Sequence, residues 1–131
     1  MLHLTKVAVS CPNIDHLQRR LHGRAIDGES WIMTRYRPTR HEELIGGSLY
    51  WIVKHQLIAR SRILGFVEAE RKWRINVDAD LVPVRVHHRR AHQGWRYLTA
   101  EDAPADLDGE TDDLATLPPR MMAKLAGLGL I

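Results

Sequence analysis

A single cysteine, Cys11, stands among the 131 residues, so no disulfide can close within the chain. That suits a reducing compartment, where disulfides are rare. Nowhere does the sequence hold the roughly 20 consecutive apolar residues that a membrane-spanning helix needs. The opening MLHLTKVAV resembles a leader, but its apolar run is short, carries Lys6 and runs into a helical pattern, so it reads as part of the fold. A cytoplasmic chain with no membrane partner is therefore expected. Phosphate-cradling fingerprints are missing too. Gly46-Gly47-Ser48 lacks P-loop and dinucleotide spacing and reads as a hairpin turn. There is no His-Glu-x-x-His and no cysteine pair. His88 and His92 lie four apart with His87 nearby, yet no metal and no cofactor are expected.

Acid is scarce in the first 100 residues, which hold 17 Lys/Arg against 9 Asp/Glu, while residues 101–131 hold 2 against 7. A balance of +8 thus precedes one of −5, and all 8 histidines lie in the basic part. Arginine far outnumbers lysine, and its planar fork suits phosphate contacts and stacking. A basic body with an acidic end implies an anionic partner, or screening of the body by the tail. The length suits one domain. Residues 1–100 are expected to form it, 101–116 to be an acidic linker, and 117–131 to carry a short helix, Pro119 to Ala126, packed on the domain.

Apolar alternation with period two marks strands, since side chains two apart share a face. The longest such stretch is Ser48 to Glu68, read as a central hairpin broken at His55-Gln56. On its second arm Leu57, Ala59, Ser61, Ile63, Gly65 and Val67 are expected to face one way, and Ile58, Arg60, Arg62, Leu64, Phe66 and Glu68 the other. Leu2 to Val9, Trp31 to Tyr36, Trp73 to Val77 and Val82 to Val86 read as further strands, and Gln93 to Leu98 as a short strand or turn. Pro83 places its strand at an edge or bulge, and His87 to His92 reads as a basic loop. Ile14, Leu17 and Leu21 recur at helical spacing, with Asn13 as N-cap and Gly23 as the stop.

Four segments, TRYRP at 34–38, GGSLYWIVKH at 46–55, ARSRILGF at 59–66 and HQGWRYL at 92–98, resemble a family of short bacterial proteins of unknown function. That resemblance covers nearly the whole chain and implies no activity. The order of strand, helix, basic turn and late aromatic strand is similar to the PUA-like superfamily with its ASCH and EVE branches, many of them binders of RNA or modified bases. It implies an α+β fold: a small antiparallel PUA-like β-barrel with an N-terminal helix and a short C-terminal helix. The ASCH motif G-x-K-x-x-E-x-R is absent, so no catalytic residue is carried over.

Candidate binding residues are Arg35, Tyr36, Arg37, Arg40, Arg60, Arg62, His88, Arg89, Arg90, Trp95, Arg96 and Tyr97. Clustered cations meet phosphates, and flat rings stack on unpaired bases. The plain alternative is that Trp51, Trp73 and Trp95 are core and the arginines a solvated surface. Cys11, just before a helix, is a candidate nucleophile, though a lone cysteine is more often packed. Three functions stay open: binding of RNA, another nucleic acid or a modified nucleotide; a small hydrolase acting on a modified nucleoside; and a protein adaptor using the acidic 101–116 segment.

Overall fold

The computed structural model describes residues 1–107. Its elements are β1 (Leu2–Val7), α1 (Ile14–Arg24), β2 (Glu29–Thr34), α2 (His41–Leu44), β3 (Ser48–Val53), β4 (Gln56–Ala69), β5 (Lys72–Asp78), β6 (Val82–His88) and β7 (Trp95–Thr99). The expected central hairpin is β3–β4, and Asn13 caps α1 as expected, its Oδ1 accepting the His16 N–H. Gly23 does not stop the helix. It lies inside α1, which ends at Ala25 in extended conformation.

β4 is the spine of the sheet. Residues 56–62 pair with β3 on one edge, and 63–69 pair with β5. β6 pairs with 56–60, the stretch that also holds β3, so β6 takes the opposite edge. β5 and β6 thus follow one another along β4, and β2 adds to β5. On the other side β3 pairs in parallel with β1, and β1 antiparallel with β7. The order β2-β5-β4-β3-β1-β7, with β6 beside β4, is an open mixed sheet of seven strands. This overturns the closed antiparallel barrel. β1 and β3 run parallel, and among the described residues no ladder joins β2 to β7. The described chain is mostly β, with α1 its only helix of more than four residues.

β3 is buried along its whole length because both faces are covered. Leu49, Trp51 and Val53 pack with Ile14, Leu17 and Leu21 of α1, while Tyr50 and Ile52 meet Leu57, Val84 and Leu98 on the reverse face. Leu17 and Leu21 are fully buried, each burial being worth about 1.5–3 kcal/mol. Buried Gln18 fixes α1 to the sheet, donating to the Ala79 carbonyl and accepting the Leu81 N–H at the β5–β6 junction.

Irregular pairings reset the alternation. The register of β4 shifts against β6 between Leu57 and Ala59, so Leu57 joins the reverse-face cluster and Ala59 the α1 side. A second shift between Ile63 and Gly65 turns Phe66 toward the α1-side core and leaves Val67 exposed. A bulge inserts one residue and swaps every face beyond it. Three two-residue turns carry positive φ at both positions: Asp27-Gly28, Lys54-His55 and Glu70-Arg71. Positive φ at both central residues marks a type I′ turn, which matches the twist of paired strands.

Beyond β7 the chain turns back to the outer side of β6. The Arg85 backbone N–H donates to the Ala105 carbonyl and the Leu107 N–H to that of Pro83. Residues 101–107 of the expected linker therefore run back onto the sheet, and the rest of 101–116 and the helix at 117–131 lie outside the described residues.

Candidate functional site

Among the described residues β7 is an edge strand, and its alternation divides the candidate residues. Arg96 pairs in register with Thr5, whereas Trp95 and Tyr97 pair with Lys6 and Leu4. Leu4 belongs to the α1-side core, so Trp95 and Tyr97 share that side and Arg96 takes the reverse one.

Beside β7 lies a cleft of about 440 Å³ lined by Thr5, His87, His88, Arg89, Arg90, His92, Arg96 and Tyr97. Five of the expected residues, His88, Arg89, Arg90, Arg96 and Tyr97, meet there. The expected loop begins later than predicted, since β6 runs on through His88. No carboxylate lines the cleft, so its three guanidinium groups are left to act together on an anion. The buried Nε of Arg89 has no hydrogen-bond partner among the described residues. Thr5 Oγ1 lies 2.7 Å from His92 Nε2, and His92 Nδ1 lies 3.3 Å from the Gln93 carbonyl. A hydrogen on Nδ1 therefore suits His92, leaving Nε2 to accept from the threonine hydroxyl. Burial chiefly pulls the His92 pKa below its usual value; the Gln93 carbonyl opposes this, and Arg96, Lys6 and Arg89 add to the lowering.

The loop carrying Arg89 and Arg90 is pinned by His55. The His55 carbonyl accepts the Arg89 N–H at 2.9 Å, and its Nδ1 accepts the Ala91 N–H at 3.0 Å. Sequence reasoning read His55 only as a break in the hairpin. Its signal was a non-glycine residue in a two-residue turn, a strained place unless the side chain has work to do.

The α1 side of β7 carries the aromatic members. Trp95 Nε1 donates to the Tyr36 carbonyl at 3.1 Å, and Trp95 and Tyr97 meet edge to face with centroids 5.1 Å apart. The Arg40 N–H donates to the Tyr97 hydroxyl, and its guanidinium lies 5.7 Å from the ring centre. Arg40 is also held by Glu43 in a bidentate pair. Tyr36 is 69% exposed and Tyr97 38%, so both offer ring surface. Arg37 lies over Trp73, 4.4 Å from its ring centre, and Arg35 is exposed.

Arg60 and Arg62 lie away from the cleft lining. Arg60 forms a bidentate pair with Asp106 at 2.7 and 2.8 Å and donates to Ser48 Oγ at 2.9 Å. Its side chain is only 24% exposed, so it ties the returning segment to the sheet. Arg62, opposite Ser48, is exposed. Of the tryptophans, Trp51 is buried, with Nε1 donating to Ser61 Oγ, while Trp73 and Trp95 are half-buried. Cys11 is buried, and burial pushes its thiol pKa up, away from the thiolate a nucleophile needs. Among the described residues no group of three or more His, Cys, Asp or Glu side chains is placed to hold a metal ion. Nor is any helix among them long and apolar enough to cross a membrane.

Comparison with known proteins matches residues 4–131 to a family model described as a protein of unknown function, DUF1489. No curated protein and no solved structure matches the chain.

Proposed function

The chain belongs to the DUF1489 family, whose description assigns no activity, and we propose from its own residues that it binds single-stranded nucleic acid, RNA first, along β7, the outermost strand among the described residues. One observation carries the reading: a concave site lined by three arginines and three histidines with no carboxylate among them. Such a site attracts anions, and phosphate is the anion that guanidinium forks fit best. Tyr36, exposed beyond β7, and Tyr97, which borders the cleft, supply faces on which bases stack. Backbone phosphates would seat in the cleft while neighbouring bases pass over the aromatic side.

The test is quenching of tryptophan fluorescence by a short single-stranded RNA, since Trp95 adjoins Arg96 on β7 and meets the Tyr97 ring. Wild type should quench, and Arg89→Ala with Arg96→Ala should weaken binding about tenfold or more. Arg62→Ala, away from the cleft lining, should change it little. Equal loss from the Arg62 variant, or no quenching at low salt, would overturn the reading.

A further inference from the structure

A cleft lined from several elements differs from a basic track along one strand, and the difference bears on which phosphate it takes. Cations approach from separate elements: His87 and His88 from the end of β6, Arg89, Arg90 and His92 from the loop after it, and Arg96 from β7. Thr5 of β1 adds a hydroxyl. An internal phosphodiester carries one negative charge and must leave in two directions, so it meets donors along a line. A terminal phosphate carries about −1.5 to −2 charges at neutral pH, offers three free oxygens, and continues in one direction only. Three guanidinium groups with no carboxylate among the lining residues suit the second kind. The unpartnered Nε of Arg89 leaves a buried donor with no internal acceptor among the described residues, and unpaired buried donors are rare in folded proteins. At about 440 Å³ the cleft admits a nucleotide-sized group and is far too small for a duplex.

We infer that the cleft is a receptor for the terminal phosphate of a single-stranded nucleic acid, a phosphomonoester held by Arg89, Arg90 and Arg96. The inference rests on the nucleic-acid reading above and narrows it to chain ends. A base next to the end then lies within reach of Tyr97, which borders the cleft and also meets Arg40.

The experiment compares one short RNA in three forms: 5′-phosphate, 3′-phosphate, and hydroxyl at both ends. Inorganic phosphate and AMP serve as competitors. One phosphorylated form should bind about tenfold tighter than the hydroxyl form, and AMP should displace it; which form wins identifies the end. Arg90→Gln, a change of an exposed residue that leaves the core intact, should weaken the phosphorylated form severalfold more than the hydroxyl form and so remove most of that preference; equal weakening of both forms would count against it. Equal, salt-sensitive binding of all three forms would overturn the terminal-phosphate inference and leave nucleic-acid binding standing. Binding of AMP or phosphate with no binding of any RNA form would overturn the nucleic-acid reading itself.

Discussion

Arg60 and Arg96 look alike in the sequence, and the structure gives them opposite work. Arg60 makes two short bonds to Asp106 and one to Ser48 Oγ, with the two paired side chains only 24% and 28% exposed. Exposed ion pairs contribute about 0–1 kcal/mol, and breaking a buried one costs about 3–5 kcal/mol. A half-buried bidentate pair lies between, so Arg60→Met, which keeps the apolar stem, should cost about 2 kcal/mol. For a chain of this size that is a fall in Tm of about 8 °C. Asp106→Asn should do much the same, and the double variant Arg60→Met/Asp106→Leu should recover part of the loss, because neither partner is then left buried alone. Arg96→Gln, at an exposed position, should move stability by no more than about 0.5 kcal/mol. RNA affinity should rank the other way, weakened by the Arg96 change and nearly untouched by the Arg60 change. Thermal unfolding followed by circular dichroism, with an RNA titration of each folded variant, measures both. An Arg60→Met protein that melts with wild type and binds RNA poorly would refute this division of labour.

Three further outcomes are expected. A Cβ built on Gly47 would lie 2.1 Å from the Leu2 carbonyl oxygen, so Gly47→Ala should force β1 away from the α2–β3 junction and cost about 3 kcal/mol, read by chemical denaturation. Glu70 and Arg71 both hold positive φ, 50° and 66°, so replacing the pair by Asn-Gly should stabilise the β4–β5 hairpin by about 1 kcal/mol; an unchanged or lower Tm would argue against the strained turn. Burial holds the pKa values of His3 and His92 below the ordinary 6.5. The unfolded chain therefore takes up protons that the native one resists, so stability is full above about pH 6.5 and falls as pH drops below it. His92→Gln should soften that acid dependence in melts at pH 7.5 and 5.5, and an unchanged dependence would remove His92 from the account.

Local signals in the sequence located most elements. The Asn13 cap, the period of Ile14, Leu17 and Leu21, and the Asp27-Gly28 turn each act within a few residues, so their physics can be read along the chain. The closed barrel failed because closure depends on which strands pair, and pairing joins distant segments such as β1 with β3. Simple alternation also failed past Ile63, where a register shift turns Phe66 inward, and nothing in Leu64-Gly65-Phe66 announces the bulge beyond the glycine itself. Arg60 could not be recognised as tied, since its partner lies 46 residues on, in a stretch that composition marks as linker. The division of Trp95-Arg96-Tyr97 was legible: once those residues are a strand, the arginine and the rings must face opposite ways. His55 escaped notice because its task, accepting two backbone N–H groups of the 89–91 loop, joins a turn to a segment more than 30 residues away.

The central claim is that the cleft beside β7 binds phosphate through its arginines. Its most direct test is the dependence of single-stranded RNA affinity on salt, for wild type and Arg96→Gln side by side. Each phosphate neutralised on a single strand contributes about −0.7 to the slope of log affinity against log salt. The account predicts a clearly negative slope for wild type, shallower by about 0.7 in the variant. A flat wild-type slope, or identical slopes in the two proteins, would contradict it.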